Sequence, residues 1–130
     1  MPITNAKVLV VEDDMFLAKI LSTKLEKEGF SVVLAFDGEE ALNKLKKEIP
    51  DLILLDLILP KKNGFEVLEE IKLDDKLNKI PVIILSNLGQ QSDVVKGKEL
   101  GAVDYLIKAN FSLDEVISKI KEHLIKAKDL

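Results

Sequence analysis

Cysteine is absent from the 130 residues, so neither a disulfide scaffold nor a thiol nucleophile can belong to this molecule. Basic charge is not in surplus either. Nineteen lysines and arginines stand against 23 acids, a formal net charge of -4, which argues against the broad basic surface that binding to a polyanion requires. The longest greasy run is broken by Asp56 well short of a membrane span, and the start from Met1 to Lys7 lacks the apolar core of a secretory signal. Repeats, linkers and low-complexity tracts are missing too. What remains is the composition expected of one cytoplasmic domain over residues 1–130, with a core from about 6 to 125. At 47% hydrophobic and 32% charged it has the balance of a soluble globular chain, and it is long enough to bury about two-thirds of the surface the unfolded chain exposes.

The stretch from Asp51 to Pro60 organises the rest. Its apolar run, residues 52–55, is too short for a helix and lacks solvent-facing alternation, so it reads as a strand covered on both faces. Asp56 follows directly, where that strand emerges. Burying this carboxylate without a partner costs several kcal/mol, roughly, so a cation is expected beside it.

Residues 8–11 form a second buried strand that runs into Glu12, Asp13 and Asp14. Leu17, Ile20, Leu21 and Leu25 then share a helical face, Asp14 is placed as the helix's N-cap, and Gly29 as its C-terminal stop. Residues 31–36 make the next strand, and Asp37 with Glu40 has the spacing of a capping box for a helix burying Ala41, Leu42 and Leu45. Residues 60–64 read as a loop before a helix marked by Phe65, Leu68 and Ile71. A strand over 82–86 ends in Ser86, a weakly hydrophobic helix spans about 92–100, and a last strand covers 103–108. Ser112 and Glu115 box the final helix, which turns Leu113, Val116, Ile117, Ile120 and Leu124 inward and leaves His123 and the lysines to solvent. Five strands alternating with five helices predict an α/β fold with one parallel sheet covered on both faces, in the doubly wound order 2-1-3-4-5. That order sets the first and third strands side by side, so Glu12, Asp13 and Asp56 should meet in one crevice at the strands' carboxyl ends.

Three neighbouring carboxylates repel one another, and a hard divalent cation relieves them. Mg²⁺ suits a shallow acidic crevice best, since it prefers one or two carboxylates, waters and phosphate oxygens to a full protein cage. Asp56 can then serve as a nucleophile toward phosphorus, with Lys108 and the Ser86 hydroxyl binding the phosphoryl oxygens. Asp14, by contrast, reads as a helix cap, and Tyr105 taken alone reads as sheet packing.

With these residues in view, the chain from about Lys7 to Leu124 resembles the receiver domain of two-component response regulators. The resemblance rests on Val10-Val11-Glu12-Asp13-Asp14, on Leu55-Asp56 with Pro60 and Gly64-Phe65, and on Ser86, Tyr105 and Lys108. It implies a flavodoxin-like fold, and the order 2-1-3-4-5 is itself exemplified by this family. It further implies that Glu12, Asp13, Asp56 and the Ile58 carbonyl hold Mg²⁺, that Ser86 and Tyr105 form a switch pair, and that the domain is not a conventional enzyme. The phosphodonor would be a sensor histidine kinase or phosphotransfer protein and the output a downstream effector protein or domain. A homodimer formed on phosphorylation stays open, while direct nucleic-acid or membrane binding is not expected. Apolar Ile58 and Leu88, two residues beyond Asp56 and Ser86, imply slow hydrolysis of the phosphorylated form. Asn87, Ala109 and Ser86 depart from the family's usual small residue, proline and threonine. A trans Lys108-Ala109 bond is expected, because a cis bond before a non-proline costs about 2.5–4 kcal/mol.

Two other readings fail on particular residues. A flavin site wants a Ser/Thr/Gly-rich phosphate loop where Glu12-Asp13-Asp14 stands, and a dehalogenase-like phosphatase wants a second carboxylate where Ile58 stands. The alternative that survives is a receiver-like interaction module that takes no phosphate.

Overall fold

The computed structural model describes residues 5–128, so the expectation drawn from residues 1–7 falls partly outside the described residues. Strands β1 (Lys7–Val11), β2 (Ser31–Ala35), β3 (Leu52–Leu55), β4 (Val82–Ser86) and β5 (Asp104–Ile107) alternate with helices α1 (Met15–Lys27), α2 (Gly38–Lys47), α3 (Gly64–Leu73), α4 (Gln91–Glu99) and α5 (Leu113–Lys128). A 3₁₀ turn, Lys108–Asn110, precedes α5. All strand pairs are parallel and the order is β2-β1-β3-β4-β5.

Side chains alternate across a strand with a period of two, and here both faces are covered. Leu9, Val11, Ile53, Leu55, Val82, Ile84 and Tyr105 point into one core, packed by α2 and α3 through Ala41, Leu45, Val67, Leu68 and Ile71. Val8, Val10, Leu52, Leu54, Ile83, Leu85 and Leu106 point into the other, packed by α1 and α5 through Leu21, Leu25, Val116, Ile117, Ile120 and Leu124. Each fully buried leucine or isoleucine contributes about 1.5–3 kcal/mol of transfer energy, so both cores hold the central strands. Among the described residues no helix is long and apolar enough to cross a membrane.

Local signals set the boundaries. Asp14 caps α1 by accepting from the Phe16 and Leu17 N–H groups, and Gly29 ends that segment at φ 95°, a conformation that favours glycine. Ser112 and Glu115 make the expected reciprocal box. At α2 the box is displaced: Asp37 accepts from Glu40 N–H at 2.7 Å, but the Glu40 carboxylate reaches past Asp37 to Phe36 N–H at 2.6 Å. An unanticipated box caps α3, where Asn63 and Glu66 exchange hydrogen bonds. β5 stops at Ile107, one residue short of the expected strand, because Lys108 begins the 3₁₀ turn. The Lys108-Ala109 bond is trans.

Candidate functional site

The register of the central ladder builds the site. Val11 pairs with Leu55, and Asp56 N–H donates to the Val11 carbonyl at 3.0 Å, so Glu12 and Asp56 emerge side by side as β1 and β3 end. Oxygens of Glu12, Asp13 and Asp56 all lie within 4.8 Å of one another. Glu12 and Asp56 are buried, at 2% and 4% exposure, while Asp13 faces solvent. The geometry is thus a hard oxygen set, open on one side, which fits a cation that keeps some of its waters. Asp14 stays out of the cluster, its carboxylate engaged in capping α1.

Lys108 arrives from the end of β5. Its Nζ stands 2.7 Å from Glu12 Oε1 and 2.8 Å from Asp56 Oδ2, so one ammonium bridges two buried acids. The remaining oxygens are also satisfied: Glu12 Oε2 accepts from Asp14 N–H at 3.1 Å and Asp56 Oδ1 from Ile58 N–H at 3.2 Å. Burial nevertheless pushes the Glu12 carboxyl up to about 7, outweighing the hydrogen bond from Lys108 that favours its charged form. Burial also works against the charge on Lys108, but hydrogen bonds to Asp56 and Glu12 prevail and hold its pKa above the ordinary lysine value. The pairing of Lys108 with Glu12 was not legible beforehand, because it depends on the β1–β3 register and not on any motif.

Ser86 ends β4 fully buried, its oxygen accepting from Leu88 N–H at 3.3 Å. Tyr105 in β5 turns its ring inward to 8% exposure and donates its hydroxyl to the Leu88 carbonyl. Residue 88 therefore ties the serine to the tyrosine. Ile58 presents an exposed side chain at the mouth of the site, Leu88 is half-buried, and Asn87 is exposed. His123 corrects the expectation of a solvent-facing residue: its side chain is only 12% exposed, with Nε2 2.9 Å from Asp104 Oδ2. The periodicity of α5 missed this because the partner lies on β5.

A doubly wound parallel sheet whose carboxyl edge carries three acids and a lysine defines, in outline, an α/β domain with a candidate cation site. Comparisons with known proteins make the class definite. The family described as Response regulator receiver domain matches residues 8–121, and the chain belongs to it. A protein of Guillardia theta described as "Probable transcriptional regulator ycf27" is 44% identical over 118 residues, covering 91% of this chain and 45% of that protein. The chain spans about half the length of the curated relatives it matches. Among solved structures, the receiver domain of the Francisella response regulator 1452 superposes with a TM-score of 0.86 at 35% identity, covering 94% of this chain and 98% of that one. A CheY-like receiver domain protein from Methanospirillum hungatei JF-1 gives 0.89 at 27%, covering 97% and 98%. The family typically uses Mg²⁺, and response regulators as a class work with histidine kinases and effectors.

Proposed function

We propose that Asp56 accepts a phosphoryl group from the phosphohistidine of a sensor kinase or phosphotransfer protein. The observation that carries this reading is the convergence of Glu12, Asp13 and Asp56 within 4.8 Å, with the Lys108 ammonium 2.8 Å from Asp56. An Asp56 oxygen attacks phosphorus, the donor's P–N bond breaks as the P–O bond forms, and the leaving imidazole takes up a proton. Mg²⁺ held by Glu12, Asp13, Asp56 and the Ile58 carbonyl would neutralise phosphoryl charge when bound. Lys108 exchanges its carboxylate partners for a phosphoryl oxygen, and Ser86 donates its hydroxyl proton to another, a proton its bond from Leu88 N–H leaves available. Tyr105 reads that hydroxyl through residue 88. Ile58 and Leu88 offer no hydrogen-bonding side chain to an attacking water, which favours a long-lived phosphoryl group.

On this reading the chain is not a conventional enzyme: it catalyses the phosphorylation and dephosphorylation of its own Asp56. Its output is a changed protein surface for an effector, or for a second copy of itself, and its acidic balance argues against direct contact with nucleic acid. Incubation with acetyl phosphate and Mg²⁺ is expected to add one phosphate to the wild type and none to Asp56→Asn, read by intact mass. A wild type that takes no phosphate would favour the non-phosphorylated interaction module, and equal labelling of the mutant would sink the assignment of Asp56.

A further inference from the structure

Helix α4 has one buried residue, and it is a glycine. Gly97 stands in the interior of the helix, where glycine is the poorest helix former after proline, so a packing requirement has to compensate. The contact supplies it. A Cβ built at Gly97 would lie 2.6 Å from Ile84 Cδ1, 3.0 Å from Tyr105 Cδ2 and 3.2 Å from Tyr105 Cε2. Ile84 is fully buried in β4, between β3 and β5, whereas β5 is the edge of the sheet. Of the two obstacles, Ile84 has a strand on either side, whereas the tyrosine ring belongs to the edge strand.

We infer that Gly97 is the positioning residue that seats the Tyr105 ring inside, so that the bare backbone of α4 is coupled through the ring and the Leu88 carbonyl to Ser86. This rests on the reading of Ser86 and Tyr105 as the switch pair. The inward ring is held at two places, by its hydroxyl on the Leu88 carbonyl and by its edge against Gly97. A methyl at position 97 crowds the second seat: it overlaps Ile84 Cδ1 and presses on the ring edge at 3.0 and 3.2 Å, so the ring is displaced outward. α4 itself keeps an independent hold on the domain, since Lys96 Nζ lies 4.4 Å from the centre of the Phe65 ring on α3, and Val94 packs on the core.

Tyr105 is the only tyrosine and tryptophan is absent, so a single probe reads the ring. The full chain labelled with 3-fluorotyrosine should give one ¹⁹F resonance, weakly quenched by a soluble paramagnetic agent. In Gly97→Ala that resonance is expected to shift and to be quenched severalfold more strongly, while phosphate uptake at Asp56 from acetyl phosphate is unchanged. A resonance as protected in Gly97→Ala as in the wild type overturns the proposal, since Ile84 would then have absorbed the methyl. Backbone amide spectra guard against simple damage to α4. Shifts caused by Gly97→Ala should largely vanish when it is made in a Tyr105→Ala background, and shifts of equal size in both backgrounds overturn the proposal. Failure of the wild type to take phosphate would count against the phosphorylation reading and leave the ring measurement intact.

Discussion

Glu12 is an acid whose burial costs this fold stability. Its carboxyl, ordinarily near 4.5, is pushed up to about 7 by desolvation, so over that interval the native state holds a proton that the unfolded chain has released. Stability tied to Glu12 is therefore complete below about pH 4.5 and declines as pH rises through 7. In metal-free buffer the thermal midpoint is expected to fall between about pH 5 and pH 8, a loss on the order of 1–3 kcal/mol. Glu12→Gln carries no titrating group and should remove most of that slope while keeping an oxygen that can face Lys108. Parallel midpoint-against-pH curves for the two proteins would show that the slope arises elsewhere. Burial and charge at this residue were legible from position alone, a carboxylate ending a covered strand. The single lysine shared with Asp56 was not, because the strand order brings Lys108 to the same edge of the sheet without saying which carboxylate oxygens its amine reaches.

At the scale of elements, the tie between β5 and α5 is made by Asp104 and His123. Burial would raise the Asp104 carboxyl, but the hydrogen bond to His123, the Tyr105 N–H and the nearby Lys119 outweigh it and hold the group below its usual 3.8. Its contribution is present above that value and is lost as pH falls through the lower native pKa. Asp104→Asn should accordingly cost about 1 kcal/mol near pH 7, and its urea midpoint should converge on the wild type's in strong acid. A gap that persists undiminished to about pH 2 would mean that packing, not charge, accounts for the loss. The periodicity of α5 identifies Ile117, Ile120 and Leu124 correctly because apolar burial repeats along one helix. It is blind to His123 because a polar residue at the margin of the apolar stripe takes its environment from a neighbouring strand. Gly97 is hidden for the same reason: an interior glycine reads as a weak helix until the ring beneath it is known. The Asn63–Glu66 box carries an ordinary capping signature, obscured here because Pro60 and Gly64 mark the whole segment as loop.

Across the whole molecule, the strand order was legible because five alternating apolar runs and helical stripes leave few ways to cover both faces of a parallel sheet, and the family resemblance selected among them. The same topology concentrates acid at one end of the domain, where, among the described residues, Lys108 is the lysine paired to Glu12 and Asp56. A ligand that binds only the folded state stabilises the entire domain, so the cluster should be readable as a global melting shift. At a Mg²⁺ concentration of about 100 times its dissociation constant the gain is about 2.7 kcal/mol, worth roughly 10 °C for a domain of this length. Asp13 is the informative variant because its side chain is exposed and its removal opens no cavity. Asp13→Asn should melt slightly higher than the wild type in chelator, since one of three mutually repelling carboxylates is gone, yet respond much less to Mg²⁺. Calorimetry of both proteins with chelator and with Mg²⁺ separates site binding from general screening, which would raise both equally. An equal rise in wild type and Asp13→Asn would show that the ion acts on the surface at large and not at the Glu12, Asp13 and Asp56 cluster.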